Sequence, residues 1–225
     1  ICSPRPCEDY DLVRLNRGDN GFWNFDEGQL AGESPVIVIL AEGVMLDDEV
    51  CSQLAGWAQL PGSGMVGGAL VDAEGGINEA GMIVHPYGDL SPVFQDLRPS
   101  FEGMGRREIL PQNLSVPGRW FLAVRRDLWN QFRSVAGFFE SWTHGVAAVS
   151  LTLRNEGFSN IMVPSLRLVS DSVIEEESSD RDCIKFREKW PKVCARDPST
   201  NRNLTIEYGC FTLAHDVDVP TDWRL

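Results

Sequence analysis

The chain has 225 residues and a mass of 25.0 kDa, which is long enough to bury a core. Hydrophobic residues make up 43% of it and charged residues 24%, a composition typical of globular proteins. Its 33 acidic and 20 basic residues give a formal net charge of -13. This balance disfavours nucleic acid and anionic membrane surfaces as main partners, because both attract concentrated Lys and Arg. The longest apolar run, Val36–Ala41, is the length of a strand, so we predict no membrane span.

Strand and helix signals alternate along the first part of the chain, which is typical of an α/β domain. We predict a strand at residues 11–15, a short helix at 22–29 and a second strand at Val36–Ala41. The second strand is apolar without interruption, as in a parallel sheet that is covered on both faces. A helix then starts at Asp47 and turns three apolar side chains towards the sheet: Val50, Leu54 and Trp57.

The alternation continues to the end of the chain, without an internal repeat. In order, we predict strands at 65–71 and 77–84, a flap or acceptor-side loop at 85–112, a strand at 120–124, helices at 128–132 and 138–155, short strands at 161–164 and 166–169, a solvated linker or helix start at 173–181 and a final strand at 207–213. We divide the chain into an α/β domain, residues 1–172, and a helix-and-strand extension, residues 173–225, that packs on the same domain.

The six cysteines do not have the spacing of a zinc site. Cys51 lies in a predicted helix and is interpreted as a core residue. N-x-[ST] sequons at Asn113 and Asn203, together with the other cysteines, favour a secretory or extracellular compartment with disulfides. These other cysteines lie towards the two ends of the chain, and the sequence leaves their pairing open: Cys2, Cys7, Cys183, Cys194 and Cys210.

Five segments resemble, in the same order, motifs of family 2 glycosyltransferases. They are the glycine-rich hairpin 65–81, the strand segment 116–129, Val-Ala-Gly-Phe-Phe-Glu at 135–140, Leu-Thr-Leu-Arg-Asn-Glu-Gly-Phe at 151–158, and Phe-Arg-Glu-Lys-Trp at 186–190 with the Asp-Pro and Asn residues that follow. The resemblance implies a GT-A-like, Rossmann-like fold with a mixed, mainly parallel sheet flanked by helices. It also implies that Gly118, Trp120 and Arg154 are candidate binding residues.

The chain departs from the family at the acids that the chemistry needs. Active members place Asp-x-Asp after the buried strand to hold Mn²⁺ or Mg²⁺ against the diphosphate of a nucleotide-sugar, and here Ala41 and Gly43 occupy these positions. An inverting transferase also needs a carboxylate base, and the corresponding run places Val146 and Ala148 there. Three weak candidates are left as replacements: Glu42, His144 and Asp171.

Family members also begin with a strand that holds the nucleotide base, and this chain starts near the end of their second strand. We therefore expect the first strand of the nucleotide-binding half to be missing. The chain begins at Ile1 rather than Met, so we expect either a processed terminus or an excerpt of a longer protein.

Other polar and aromatic features have simpler interpretations. The stretch from His215 to Asp218 looks like a metal site, but short acidic pairs near a chain end are usually solvated. The acidic run 175–177 is interpreted as a solvated face. Trp120, Trp129 and Trp142 are predicted to be core or interface residues, with stacking on sugar rings as the alternative.

The sequence therefore predicts a glycosyltransferase-like domain that is not catalytic, has no cofactor, and serves a structural or assembly role or binds a glycan or a protein partner, as a homo- or hetero-oligomer. One alternative is an active transferase that uses a nucleotide-sugar with Mn²⁺ or Mg²⁺ and whose donor-site strand lies outside this chain. Another is an inactive subunit that stabilises an active homologue.

Overall fold

A computed structural model describes residues 4–19, 21–93, 110–171, 173–176 and 179–200. The strands in these ranges are β1 (Tyr10–Arg17), β2 (Trp23–Asn24), β3 (Val36–Ala41), β4 (Ser63–Val71), β5 (Ile77–Glu79), β6 (Met82–Val84), β7 (Leu90–Pro92), β8 (Gln112–Asn113), β9 (Phe121–Arg125) and β10 (Ser159–Val169). The helices are α1 (Asp48–Ala58), α2 (Arg126–Phe132), α3 (Trp142–Asn155), α4 (Asp180–Lys189) and α5 (Pro191–Ala195), with 3₁₀ turns at Glu27–Ala31 and Arg133–Phe138.

One mixed sheet organises the molecule, with the strand order β2-β1-β3-β9-β4-β10-β8 and β5 beside β4. β1 is parallel to β3 and β4 is parallel to β10, whereas β9 runs antiparallel between β3 and β4. The four long strands β1, β3, β4 and β10 therefore point the same way. Their C-terminal ends meet along one side of the sheet, which we call the carboxyl edge.

The predicted central strand is confirmed, because every residue of β3 is buried. β1 pairs with it in continuous register from Tyr10 opposite Val36 to Leu15 opposite Ala41. The helix after β3 is also confirmed: Asp47 caps α1 by accepting from the N–H groups of Glu49 and Val50. Cys51 is fully buried in this helix, as expected of a core residue.

Helix α3 is buried almost all round, because it packs against strands on one side and against α4 and α5 on the other. Residues 142–151 of this helix are all buried. Phe186, Trp190 and Cys194 of the extension form one hydrophobic cluster with Ala147, Ala148 and Leu151 of α3. The described part of the extension is thus packed on the body of the protein.

Some local predictions were wrong. The predicted strand at 77–84 is two short strands, β5 beside β4 and β6 in a separate pair with β7. The segment 22–29 forms β2 and a 3₁₀ turn rather than a helix, and α3 begins at Trp142 rather than at residue 138. The two short strands at 161–164 and 166–169 are one strand, β10, whose pairing with β4 shifts register between Val163 and Arg167. A bulge at this point accommodates Pro164, which cannot donate to the ladder.

Some predictions fall outside the described residues: the final strand at 207–213, Asn203, the His215–Asp218 stretch, Cys2 and Cys210. Within the described ranges, the other four cysteines all carry thiols, so the structure gives no support to the predicted disulfides there: Cys7, Cys51, Cys183 and Cys194. In the same ranges, no helix combines the length and the apolar character needed to cross a bilayer.

Candidate functional site

The loop that leaves β3 lies at the carboxyl edge, where the resemblance places the metal-binding acids. Ala41 is fully buried, and its N–H donates to the Trp120 carbonyl at 2.9 Å. Glu42 and Gly43 are exposed, and Gly43 has a φ of +82°, a left-handed conformation that favours glycine. The chain turns sharply here, which sends the following residues across the edge of the sheet.

This loop is joined to the end of β10 by backbone hydrogen bonds. Met45 N–H donates to the Val169 carbonyl at 2.8 Å, Asp171 N–H donates to the Gly43 carbonyl at 3.3 Å, and Val44 forms an antiparallel bridge with Ser170. Ligands of open α/β sheets usually bind in the crevice beyond the carboxyl ends of the strands. In this protein, backbone pairing bridges the edge at that point.

Two of the three weak acid–base candidates, Glu42 and Asp171, are brought to this edge, and both are exposed. Asp171 donates its N–H to the carbonyl of Gly43, the residue that follows Glu42. Within the described residues, no group of three or more His, Cys, Asp or Glu side chains is arranged to hold a metal ion.

The loop before β9 places Gly118 and Trp120 beside the edge. Arg119 forms an ion pair with Glu79 at 2.7 Å, and its guanidinium also donates to Thr143 Oγ1 and lies over the Trp120 ring at 4.8 Å. Trp120 is only 1% exposed and its ring centroid lies 5.0 Å from that of Trp23. The faces of Trp120 are therefore covered by protein groups. The buried ion pair between Arg119 and Glu79 holds the loop before β9 in place. Arg119 was not identified from the sequence.

Two carboxylates of the extension accept hydrogen bonds from backbone N–H groups at the N-terminus of α3. Glu176 accepts from the N–H groups of Trp142 and Thr143, both at 2.8 Å, and Asp182 accepts from the N–H groups of Glu140 and Ser141 at 2.9 and 2.8 Å. A helix N-terminus is a natural anion site, and here two internal carboxylates occupy it. The interpretation of 175–177 as a solvated face is wrong for Glu176, because its carboxylate binds the N–H groups of Trp142 and Thr143. These contacts join distant parts of the chain, so no sequence pattern indicates them.

The third acid–base candidate, His144, is a buried residue. Its Nε2 lies 3.1 Å from the Gly88 carbonyl, which fixes the ring proton on Nε2, and its Nδ1 lies 2.7 Å from Ser141 Oγ. Both ring nitrogens are thus engaged. Burial lowers the pKa of His144 below its usual value, although the Gly88 carbonyl and nearby acids such as Asp182 oppose this shift. His144 is a neutral core residue, whereas Glu42 and Asp171 are exposed.

The remaining predicted positions are spread along α3. Val146 is buried in the main core and Ala148 in the cluster under α4 and α5. Arg154 donates to Ser115 Oγ at 2.9 Å, and this hydroxyl donates to the buried Asp197 at 2.6 Å. Twelve residues of helix separate Arg154 from Trp142, about 18 Å. The Arg154 guanidinium is engaged by Ser115, which lies three residues before Gly118, in a hydrogen-bonded chain that leads to Asp197.

A separate cleft of about 680 Å³ opens between β2, α2, the second 3₁₀ turn and the start of α3. Its wall is aromatic: the ring centroid of Phe25 lies 6.1 Å from those of Trp129 and Trp142, and the latter two are 6.3 Å apart. We name this cavity the aromatic cleft; its aromatic lining residues are Trp23, Phe25, Trp129, Phe139 and Trp142. The sequence named Trp129 and Trp142 as possible stacking residues but did not join them with the others, because the lining residues come from separate elements.

Polar side chains surround the aromatic cleft. Asn24, Asn130 and Ser134 are exposed at its rim, together with Glu140 and an ion pair between Arg133 and Glu27. Aromatic walls with a few polar groups are typical of sites for organic ligands, and this volume lies in their usual range. The cleft is therefore a second candidate site, distinct from the loop that follows β3.

No protein-family model matches the chain, and no curated protein matches it. Among solved structures, a crystal structure of GalNAc-T7 with UDP, GalNAc and Mn²⁺ is similar, with a TM-score of 0.52 and 13% sequence identity. The similarity covers 72% of this chain and 33% of that chain, so this chain spans about a third of it. At this identity the similarity shows the fold alone. The prediction of a GT-A-like α/β fold is confirmed, while the loss of acids and the missing strand stay predictions.

Proposed function

We propose that this chain is a glycosyltransferase-like domain that does not transfer sugar by itself and that binds a glycan or a protein partner. The observation that carries the proposal is the backbone pairing of Gly43–Met45 with Val169–Asp171 across the carboxyl edge. A donor diphosphate and its metal ion would have to approach this part of the sheet, and the pairing already occupies it.

The side chains at the edge support the same conclusion. Divalent cations such as Mg²⁺ are held by carboxylate and other oxygen ligands. Ala41 offers a methyl group inside the core and Gly43 offers no side chain. An acid at position 41 would be buried without a partner, so this position cannot take a metal-binding carboxylate without a change of the loop.

The start of α3 also disfavours an anionic ligand. Its N–H groups at Trp142 and Thr143 already bind Glu176. A phosphate would have to displace this carboxylate, which is tethered by the chain and therefore has a high effective concentration. The helix N-terminus supports packing of the extension rather than donor binding.

The alternative is an active transferase whose donor-site strand lies outside this chain. One observation favours it: Glu42 and Asp171 are both exposed at the same edge, so two carboxylates are available there. The two functions differ in whether the chain turns over a nucleotide-sugar.

A nucleotide-release assay tests the proposal. The chain is incubated with UDP- and GDP-sugars and Mn²⁺ or Mg²⁺, and released UDP and GDP are measured with and without neutral oligosaccharide acceptors. We expect no release above that of the heat-denatured chain. Metal-dependent release that disappears in E42A/D171A, but persists in the control E156A at an exposed acid of the α3 end, would establish the alternative.

A further inference from the structure

We infer that the aromatic cleft binds a neutral pyranose glycan. This inference deepens the proposed function and rests on it, since it gives the binding module a ligand class and a location. It concerns a different part of the molecule from the carboxyl edge.

The walls of the aromatic cleft match the apolar surface of a sugar ring. Phe25 and Phe139 are half-buried and offer surface to a ligand, while Trp23, Trp129 and Trp142 form a deeper floor. Phe139 is held in place by stacking on His144, with ring centroids 6.0 Å apart. Such fixed aromatic groups give contact area at little loss of conformational entropy.

The rim supplies hydrogen-bonding groups that a sugar needs. Asn24, Asn130 and Ser134 are exposed and form no side-chain hydrogen bond within the described part of the chain. Amide and hydroxyl side chains both donate and accept, as sugar hydroxyls do. A purely apolar ligand, such as a hydrophobic peptide side chain, would desolvate these groups without pairing them.

The charges at the rim favour a neutral ligand. Arg133 is already paired with Glu27, and Glu140 is paired with Arg181 at 3.1 Å. The lining itself contributes two carboxylates and one guanidinium. Because this guanidinium is already paired with Glu27, a phosphate or an acidic sugar would find no unpaired cation in the lining, in a chain whose net charge is -13.

The test is titration of the chain with cellotetraose, chitotetraose and mannotetraose, followed by saturation-transfer NMR and tryptophan fluorescence, with a heparin tetrasaccharide as the anionic comparison. The probe variant is N24A/N130A, which removes exposed rim amides without touching the aromatic wall. The matched control is N155A, an exposed Asn to Ala change at the far end of α3. Circular dichroism verifies that each variant is folded.

We expect saturable binding of at least one neutral tetrasaccharide in the micromolar to millimolar range, weakened about tenfold or more in N24A/N130A and unchanged in N155A. No binding of any of the three sugars, or binding that the rim variant leaves unchanged, would overturn the inference. Binding of a tryptophan-rich peptide with no sugar binding would overturn it in favour of protein recognition.

The two proposals fail separately. Nucleotide release in the assay above refutes the non-catalytic function whatever the cleft binds. An absence of sugar binding, together with an absence of nucleotide release, refutes only the glycan inference.

Discussion

The carboxylate of Glu176 accepts a 2.8 Å hydrogen bond from the backbone N–H of Trp142, and a second one from Thr143. This contact joins the segment after β10 to the first turn of α3. The neighbouring carbonyl of Glu175 accepts from the Trp23 indole N–H at 3.2 Å. A short acidic segment therefore joins α3 and β2, two of the elements that enclose the aromatic cleft.

We predict that Glu176→Gln lowers the free energy of unfolding by about 1 to 2 kcal/mol, because it removes a charge that is bonded to a helix N-terminus. The matched control is Glu175→Gln, where the side chain is exposed and the change is expected to stay within about 0.5 kcal/mol. Urea denaturation followed by circular dichroism measures both. Equal effects of the two substitutions would show that Glu176 does not cap α3.

The buried His144 predicts a specific loss of stability in acid. Burial lowers its folded-state pKa below 6.5, so between that pKa and 6.5 the unfolded chain binds more protons than the folded protein. The free energy of unfolding therefore falls as the pH drops through this window. The variant His144→Gln should show a flatter profile from about pH 6.5 downwards. Identical slopes of the two proteins in urea titrations at several pH values would contradict this.

Gly67 allows a close approach between β4 and the loop before β9. A Cβ atom at this position would lie 2.0 Å from the Pro117 carbonyl oxygen, a backbone atom that cannot rotate away. We predict that Gly67→Ala lowers the free energy of unfolding by about 2 to 3 kcal/mol. Gly137→Ala is the control, since a Cβ there meets no atom within 4 Å, and its effect is expected within about 0.5 kcal/mol. Thermal unfolding of both variants distinguishes the clash from a general effect of losing glycine.

The cysteines predict a pattern of alkylation. Burial raises the pKa of the Cys51 and Cys194 thiols to about 11 each, so few thiolates form at mildly alkaline pH. We expect iodoacetamide to modify these two residues only after unfolding, and to modify the half-buried Cys183 earlier. Mass spectrometry of the non-reduced protein measures the order. A peptide in which Cys183 and Cys194 are disulfide-linked would contradict the thiols seen in the structure.

The central sheet could be predicted because its signals are local. The uninterrupted apolar run of β3 requires burial on both faces, and the Asp47 cap marks the start of α1 within a few residues. These signals do not give the order of the strands in the sheet, where β9 lies antiparallel between β3 and β4. The burial of Cys51 was predicted from its place inside this helix, and the structure confirms it.

The sites depend on contacts between distant residues, which sequence patterns do not contain. Glu176 reads as part of a solvated acidic run, yet it reaches Trp142 across 34 positions of the chain. The aromatic cleft combines residues of β2, α2 and α3 whose individual spacing has no period. Similarly, the pairing of Gly43 with Asp171 becomes visible only when both strand ends are in place.

The central claim is that the carboxyl edge does not bind a nucleotide-sugar donor. Isothermal titration of the purified chain with UDP- and GDP-sugars, with and without Mn²⁺, tests it most directly. We predict no heat of binding with any donor under either condition. Metal-dependent binding in the micromolar range would contradict the account, and would mean that acids such as Glu42 and Asp171 rebuild a donor site at this edge.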